Sequence, residues 1–303
     1  MSKHMRGIFA LLFVTLAWGT TFPAMKDLTT SMTPVWIIFS RFFLAALLLI
    51  PFLRGLQWRD VKIGLLMGGM LFLCFILQVE GLARISSNRN AFITGLNVLI
   101  VPLLGILLGA LPNRRIMLAV AMAMLGLYLL CWEDAAWSFG DTLTLLCALA
   151  YAVYIKMMEI YSRKVASLMR FTATQIWVVM LSALLYLLIV EAPTLAVEKH
   201  IDSLNYFQHQ WAVILQNWPN LLYLGAFCTA AVISVQSWGQ QNTSANEAAV
   251  IYAFEPAAAA IVGFFWLGET MSQAAIAGAL LMIAGMIVSQ WQRTQAKTLL
   301  TPD

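Results

Sequence analysis

An internal repeat constrains the fold of this sequence more than any single motif. The stretch from Gln78 to Pro102 resembles the stretch from Gln236 to Pro256, and a shift of 158 residues aligns them. The matched positions are Gln78 with Gln236, Gly81 with Gly239, Ser86 with Ser244, Asn88 with Asn246, Ala91 with Ala249 and Asn97 with Glu255. Such a repeat indicates a chain built from two related halves.

The composition indicates that both halves lie in a membrane. Hydrophobic residues make up 61% of the chain and charged residues 11%, with a mean hydropathy of +0.82. Soluble domains contain roughly 45–50% and about 25%, respectively. Runs of about 20 apolar residues, the length that crosses ~30 Å of hydrocarbon, recur along the chain. All four cysteines lie within apolar runs, so we expect buried thiols rather than disulfides.

Ten apolar runs predict an all-α membrane protein with ten transmembrane helices. The predicted spans are 7–25, 34–53, 61–82, 90–110, 116–132, 141–161, 171–190, 219–240, 246–268 and 273–291. Most linkers are short, which is typical of sequential helices packed antiparallel. The exception is the external loop 191–218. Its apolar residues recur at helical spacing and favour an interfacial amphipathic helix over an irregular loop. These residues are Leu204, Phe207, Trp211, Ile214 and Leu215.

Basic residues in the loops indicate the orientation, because cytoplasmic loops carry an excess of lysine and arginine. With a cytoplasmic N-terminus, four basic residues lie outside: Lys26, Arg84, Arg89 and Lys199. Twelve lie inside: Lys3, Arg6, Arg54, Arg59, Lys62, Arg114, Arg115, Arg163, Lys164, Arg170, Arg293 and Lys297. This bias predicts a multi-pass membrane protein with both termini in the cytoplasm.

Five spans in each half force two related halves to cross the membrane in opposite directions. The predicted organisation is a first five-helix repeat over 1–132, a second over 141–292, and a cytoplasmic tail over 293–303. Inverted repeats of this kind are typical of secondary transporters, whose substrate site lies between the halves near the midplane. We therefore expect a central cavity.

Three charged residues within the spans are candidates for coupling or charge recognition, because a charge at a bilayer centre costs about 2.5–3.5 kcal/mol on insertion scales. Glu255 lies about nine residues, or ~14 Å, into its helix. It is expected to take a proton or contact a cationic substrate, or alternatively to support the helix beside Pro256. For Arg41 the alternatives are snorkelling, an acidic partner such as Glu80, or a substrate carboxylate. Glu80 itself is interpreted as an entrance residue or ion-pair partner.

The repeat also selects uncharged candidates for the cavity. The amides of Asn97, Gln78 and Gln236 suit zwitterionic or ring-containing ligands, although amides also join membrane helices by hydrogen bonds. Trp18 and its counterpart Tyr151 lie about ten residues into their spans, away from the interfacial belt where aromatic residues collect. The full candidate set is Trp18, Gln78, Asn97, Tyr151, Gln236, Tyr252 and Glu255.

Two prolines within predicted spans indicate bends. Pro102 and Pro256 each remove a backbone donor from a helix, so we expect a bend at each, static or used in gating.

Four segments resemble the EamA-type transporters of the drug/metabolite transporter superfamily: LAWGTTFPAMK, SRFFLAALLLIPF, EPAAAAIVGFFWLGE and AIAGALLMIAG. The resemblance implies a ten-helix inner-membrane carrier, with two inverted five-helix bundles around a central cavity, that moves small metabolites, often outward. Glu255-Pro256 and Leu267-Gly268-Glu269 occur only in the second half, where the first half has Asn97-Val98 and Gly109-Ala110. The halves are therefore not expected to play equal roles.

Together these features predict a secondary transporter of small organic metabolites, working as an exporter driven by a proton gradient or by the substrate's own gradient. The alternatives are a lipid or lipid-carrier flippase of the same helical plan, and an intramembrane enzyme acting on lipid-linked substrates. No P-loop, zinc spacing or nucleophile motif is present, so no enzyme activity, metal or cofactor is predicted. The expected partners are a small-molecule substrate and the lipid bilayer, with a homodimer left open. The net charge of +4 belongs to the cytoplasmic loops and does not indicate nucleic acid.

Overall fold

Helices make up all the regular structure of the described residues. The computed structural model describes residues 2–104, 114–131, 137–194 and 203–298, and no strand occurs in these ranges. Six segments are long and apolar enough to cross a membrane: Lys3–Leu28, Pro34–Leu53, Trp58–Leu82, Phe139–Tyr161, Leu168–Thr194 and Trp218–Gln241. Each of the six coincides with one predicted span.

The first half contains seven α-helices in the described residues. They are α1 (Lys3–Gly19), α2 (Thr21–Leu28), α3 (Pro34–Leu49), α4 (Trp58–Leu82), α5 (Ser87–Gly95), α6 (Asn97–Leu103) and α7 (Arg114–Cys131). A 3-10 turn, Ile50–Leu53, ends the segment that α3 begins. Thr20 alone separates α1 from α2, so the two form one helical segment.

The second half contains eight α-helices and two π-helical segments in the described residues. The α-helices are α8 (Phe139–Tyr161), α9 (Leu168–Tyr186), α10 (Ser203–Gln216), α11 (Trp218–Leu222), α12 (Val232–Gln241), α13 (Ala245–Tyr252), α14 (Glu255–Leu267) and α15 (Gln273–Thr298). The π segments are Leu187–Glu191, which follows α9, and Tyr223–Ala231, which lies between α11 and α12.

The other four predicted spans do not form single long apolar helices. The span 90–110 is divided between α5 and α6 and runs into residues outside the description, whereas 246–268 is divided between α13 and α14. In α7 and α15 the apolar stretches are the shorter Met117–Leu129 and Gln273–Gly285. The count of ten membrane crossings therefore stays a prediction.

The loop 191–218 contains the predicted helix, α10, but only part of its predicted apolar face packs inward: Phe207 and Ile214 contact the core. Tyr206, Gln210 and Val213 are buried, whereas Trp211 and Leu215 are 57% and 58% exposed. The buried face carries hydrogen bonds: the Trp36 indole donates to the Tyr206 hydroxyl, which donates to the Glu191 carboxylate. Burial and this carboxylate raise the pKa of Tyr206. Residues 195–202 of this loop lie outside the description, as do residues 299–303 of the predicted tail, whose first residues continue α15.

Helices of the first half pack mainly against helices of the second. The pairs are α1 with α12, α13 and α14; α8 with α4, α5 and α6; α9 with α3 and α4; α3 with the π segment Tyr223–Ala231; and α7 with α15. The hydrophobic core therefore lies between the halves. Two glycines allow close approaches there: a Cβ on Gly19 would lie 2.4 Å from the Ala258 Cβ, and one on Gly225 would lie 2.9 Å from the Arg41 carbonyl oxygen.

Candidate functional site

A cavity at the junction of the two halves is lined by both. The first half contributes Trp18, Thr21, Arg41, Phe75, Gln78, Thr94 and Asn97, and the second contributes Tyr151, Ile155, Gln236, Tyr252 and Glu255. All seven candidates from the sequence are in this set. Its atom-free space is about 460 Å³, of which the centre of a water molecule can occupy about 30 Å³. Since one water needs ~10–15 Å³ by that measure, this conformation has room for only a few waters or a very small ligand.

Two helices of the junction are interrupted at the cavity. In the second half the chain leaves α13 after Tyr252 and begins α14 at Glu255. In the first half it leaves α5 after Gly95 and begins α6 at Asn97. Asn97 and Glu255, matched by the repeat, thus each begin the helix that follows an interruption. Discontinuous helices at a substrate site recur among transporters.

The two interruptions have different local causes. Pro256 lies in the first turn of α14, where its missing N–H costs no helical hydrogen bond and its fixed φ favours a helix start. In the first half the interruption lies at Leu96, ahead of Pro102, which is inside α6. There the Asn97 side chain donates to the Thr94 carbonyl over 2.9 Å and so gives this backbone acceptor at the interruption a hydrogen bond. The bend expected at Pro102 thus lies one to two turns from the interruption that the structure contains.

Glu255 is half-buried and lines the cavity. Among the described residues, no lysine, arginine or histidine nitrogen lies within 4.0 Å of its carboxylate. A carboxylate in an apolar helix without a cationic partner is costly, so it is a functional candidate.

Arg41 lines the same cavity and is 1% exposed. Its Nε donates to the Thr229 hydroxyl over 2.9 Å, and Nη1 lies 3.0 Å from the Met25 sulfur. The guanidinium carbon lies 4.9 Å from the centre of the Phe75 ring, within cation–π range. Thr229 belongs to the π segment and donates to the Leu224 carbonyl, five residues earlier. The π-helical register therefore helps to place the hydroxyl that holds Arg41.

Glu80 lies outside the cavity, and the suggestion that it pairs with Arg41 is wrong. Its carboxylate pairs with Arg84, one helical turn away, at a partly exposed site. Within the described residues no carboxylate lies within 4.0 Å of the Arg41 guanidinium.

Within the part of the chain that the structure describes, three other polar groups in the cavity lining have no hydrogen-bond partner at standard distance and angle. They are the Thr94 hydroxyl, the Asn97 carbonyl oxygen and the Tyr252 hydroxyl, and these residues are 3%, 5% and 3% exposed. An unsatisfied buried polar group costs about 1–3 kcal/mol. Three around one cavity indicate a surface built to bond something that enters it.

Aromatic rings and amides supply much of the remaining wall. The rings of Trp18 and Tyr252 lie 5.7 Å apart between centres, and those of Phe75 and Tyr151 lie 6.3 Å apart. Gln236 donates to Gln240 over 3.3 Å, so part of its amide is used between neighbouring turns of one helix. A wall of flat apolar surface with few polar groups is typical of small-molecule sites.

Four lining residues were not singled out from the sequence: Thr21, Phe75, Thr94 and Ile155. Thr94 carried a signal, because the shift of 158 places it on Tyr252. The others are ordinary residues of apolar helices, and only tertiary packing brings them to the cavity. Among the described residues no group of three His, Cys, Asp or Glu side chains could hold a metal ion.

Comparison with known proteins gives consistent relatives. A model described as the EamA-like transporter family matches residues 5–132 and 138–290. An uncharacterized transporter of Archaeoglobus fulgidus is 29% identical over 287 residues, covering 94% of this chain and 86% of the relative. A second from that organism is 24% identical over 258 residues, covering 84% and 85%. One solved crystal structure has a similar fold, with a TM-score of 0.66 at 17% identity over 98% of this chain and 99% of the other.

Proposed function

Because the chain belongs to the EamA-like transporter family, we propose that this membrane transporter is a secondary exporter of small organic metabolites that works by alternating access across the inner membrane. The observation that carries the proposal is the cavity between the halves, with its partly unsatisfied polar lining. Two inverted five-helix repeats, 1–132 and 141–292, would form its walls.

The orientation of equivalent helices supports the inverted repeat. Ser86 and Ser244, matched by the repeat, accept from the N–H groups of Arg89 and Glu247 at the starts of α5 and α13. The start of α5 lies near Lys26, whose ammonium donates to the Ile85 carbonyl. The start of α13 lies near His4, 22 residues earlier on the same helical segment and thus about 33 Å away. Equivalent helices that begin at opposite ends of the molecule run in opposite directions.

The packing between halves supports the same symmetry. The contacts of α1 with α12, α13 and α14 are mirrored by those of α8 with α4, α5 and α6. The contact of α3 with the π segment Tyr223–Ala231 is mirrored by that of α9 with α4. Such reciprocal pairs are what a two-fold axis in the membrane plane would produce, and rocking about it would open the cavity to one side at a time.

The unpaired Glu255 supports coupling to protons. In the proposed cycle its carboxylate takes a proton on one side of the membrane and releases it on the other. Glu255→Gln should then abolish gradient-driven transport while leaving counterflow exchange, which needs no net proton movement. Proteoliposomes with and without a pH gradient separate the two activities. Loss of both activities in a well-folded variant would contradict the coupling role.

The function itself is tested by metabolite export. Cells that overexpress the protein are compared with cells that lack it, and metabolites in medium and cytoplasm are measured by mass spectrometry. We expect one or a few small metabolites to rise in the medium and fall in the cytoplasm. Overexpressed Glu80→Gln, altered outside the cavity, should behave like the natural sequence. Accumulation inside the cells would show import, and an unchanged metabolite profile would reject the transport proposal.

A further inference from the structure

Basic side chains of both halves meet at the end of the molecule where α13 begins. Arg59, near the start of α4, donates from Nη2 to the Lys164 carbonyl oxygen over 3.1 Å. Arg163, next to Lys164, donates to the carbonyl of Thr243, just ahead of α13. Lys62 follows Arg59 by three residues on α4, so these two side chains are neighbours. We call the three exposed residues Arg59, Lys62 and Lys164 the basic patch.

The basic patch is not neutralised by an acidic side chain of the described residues. Asp60 lies between two of its members in the sequence, but it is 3% exposed and pairs with the Arg170 Nε at 3.1 Å. Within the described part of the chain, no carboxylate oxygen lies within 4.0 Å of a side-chain nitrogen of the patch. The patch therefore presents a net positive charge to its surroundings.

An exposed aromatic residue indicates that the basic patch lies at the depth of lipid headgroups. Trp58 is the first residue of α4 and is 68% exposed. Tryptophan collects at membrane–water interfaces, where its ring lies among the headgroups. The Lys62 ammonium lies 5.6 Å from the centre of this ring, so this lysine, one turn further along α4, directs its charge back toward the interface. Lipid phosphates lie at the same level.

The exposed side of α4 has a notch on the side of the patch that enters the membrane. Leu65 and Leu73 are 54% and 44% exposed, and Gly69 lies between them, one turn from each. A Cβ on Gly69 would have no atom of another described residue within 4 Å. In contrast, a Cβ on Gly64 or Gly68 would lie 2.6 Å from a side chain of α9. Glycine weakens a helix relative to alanine, and packing within the described residues does not require it at position 69.

We propose that this surface binds an anionic phospholipid of the adjacent leaflet, with the phosphate on the basic patch and one acyl chain along α4 in the notch at Gly69. Gly69 follows Lys62 by seven residues and thus lies about 10 Å deeper, where an acyl chain continues from its headgroup. Basic clusters beside a membrane bind anionic headgroups by charge complementarity. Arginine bonds a phosphate through two parallel N–H groups, and lysine adds a compact charge. Since the patch contains residues of both halves, one lipid joins the halves at this end.

Native mass spectrometry of the purified full-length protein tests the headgroup contact. Dioleoyl-phosphatidylglycerol, which is anionic, is titrated against dioleoyl-phosphatidylcholine, which has the same chains and no net charge. We expect phosphatidylglycerol to bind about tenfold or more tightly, and the double variant Arg59→Gln, Lys62→Gln to lose most of this preference. The matched control is the double variant Lys3→Gln, Arg6→Gln. It removes the same charge from exposed residues at the start of α1, at the same end of the molecule, and should keep the preference.

A variant at the notch separates lipid binding from protein stability. Gly69→Leu fills the notch and replaces glycine by a better helix former, so the protein in lipid-free detergent should be at least as stable to heat as the parent. Its affinity for phosphatidylglycerol should nevertheless fall by about fivefold, because the acyl chain loses contacts with the helix. Gly69→Ala should cause a smaller loss of affinity.

Each outcome decides the inference separately from the proposed function. Loss of preference in the patch variant alone, with weaker binding by Gly69→Leu, supports it. Equal losses in the patch variant and its control would show that the lipid follows total surface charge, and would overturn it. Unchanged binding by Gly69→Leu would also overturn the site. A dimer in the same spectra that Gly69→Leu dissociates would assign the notch to a second copy of the chain instead. Metabolite export tests transport independently of all these results.

Discussion

The starts of α5 and α13, which the repeat matches and which lie at opposite ends of the molecule, have unlike chemistry. At the start of α5, Arg89 forms a two-pronged ion pair with Asp141 at 2.6 and 2.9 Å, and the two side chains are 6% and 0% exposed. The shift of 158 residues places Glu247 on Arg89. At the start of α13, Glu247 faces His4 at 3.6 Å, with side chains 33% and 46% exposed. A buried permanent pair at one end thus corresponds to an exposed titratable pair at the other.

A second pair of equivalent residues also reverses charge. Lys26 donates to the Leu82 and Ile85 carbonyls at the α5 end, over 2.9 and 2.8 Å. The shift that places Tyr151 on Trp18 places Glu159 on Lys26, and Glu159 accepts from the Ala245 N–H at the start of α13 over 3.2 Å. The ammonium of Lys26 thus bonds to carbonyl oxygens at one end, and the carboxylate of Glu159 bonds to a backbone N–H at the other.

A second acidic side chain contacts the start of α5. The Glu269 carboxylate accepts from the N–H groups of Ser87 and Asn88, at 2.9 and 3.1 Å. Charge-assisted bonds to helix N–H groups are strong. Among the described residues, the buried ion pair and this doubly bonded carboxylate both lie at the α5 end, so we expect the α13 end to open first. If that end faces the cytoplasm, substrate loads from inside, as an exporter requires.

The assignment of sides is the prediction with the largest effect, because its readout is all or none. A reporter active only in the periplasm should be silent when fused at Asp303 and active when inserted near His200. A cytoplasm-active reporter fused at the same positions is the control and should give the reverse. If the periplasmic reporter gives the opposite pattern, the α13 end faces outward and the argument for export is lost.

The buried pair at the α5 end should dominate stability. Asp141→Asn removes the carboxylate that pairs with the buried Arg89 guanidinium, and breaking a buried ion pair costs about 3–5 kcal/mol. Glu247→Gln breaks an exposed pair and should cost about 1 kcal/mol or less. Unfolding of the purified variants in one detergent, followed by temperature or denaturant, measures both. Asp27→Asn, at an exposed aspartate, is the matched control. Equal losses of stability in Asp141→Asn and Glu247→Gln would contradict the difference between the two helix starts.

The Glu269 carboxylate should control access from the α5 end. Glu269→Ala removes a carboxylate bound to two N–H groups, a loss of about 1.5–3 kcal/mol, so the closed state should weaken by about tenfold or more. A cysteine placed at Thr94, in a protein without the native cysteines, reports on access through its labelling by a membrane-impermeant maleimide added outside cells. Labelling should accelerate in Glu269→Ala and stay unchanged in Glu159→Ala, altered at the α13 end. Equal acceleration in both would contradict separate closures.

Much of the candidate cavity is readable from the sequence, because polar residues are rare in an apolar chain. Asn97, Gln78 and Glu255 stand out against their neighbours, and the repeat pairs them with positions in the other half. The structure places all seven candidates for the cavity wall, and Arg41, around one cavity; their role in binding stays a proposal. Periodicity and length likewise located the six long segments, since ~20 apolar residues have few alternatives to a spanning helix.

The remainder depends on contacts between distant residues. The Glu80 carboxylate meets Arg84 one turn away, so proximity in sequence decided its partner, whereas Arg41 takes the hydroxyl of Thr229, 188 residues away. No proline next to Leu96 predicts the interruption there. It is stabilised instead by the Asn97 side chain, which donates to the Thr94 carbonyl. Composition alone does not encode such choices.

The smallest expected effect is a difference between the two ends in how their interactions respond to salt. The pair of His4 and Glu247 is exposed, and exposed pairs are screened within a Debye length of ~8 Å at physiological salt and ~3 Å at 1 M. Breaking it with His4→Ala should favour opening of the α13 end by at most about fivefold, since such pairs contribute ~1 kcal/mol or less.

The opening is followed by maleimide labelling of the same cysteine at Thr94 in inside-out vesicles. The difference between His4→Ala and the parent should shrink at high salt to the part that comes from the hydrogen bond between His4 Nδ1 and the Asn242 carbonyl oxygen, and His209→Ala, at an exposed histidine elsewhere, should show no difference at any salt. In contrast, the loss of stability caused by Asp141→Asn should persist at high salt, because solvent ions do not reach a buried pair. A wholly salt-independent effect of His4→Ala would mean that the hydrogen bond of His4, and not its pairing with Glu247, stabilises the α13 end, and the contrast in salt response between the two ends would be lost.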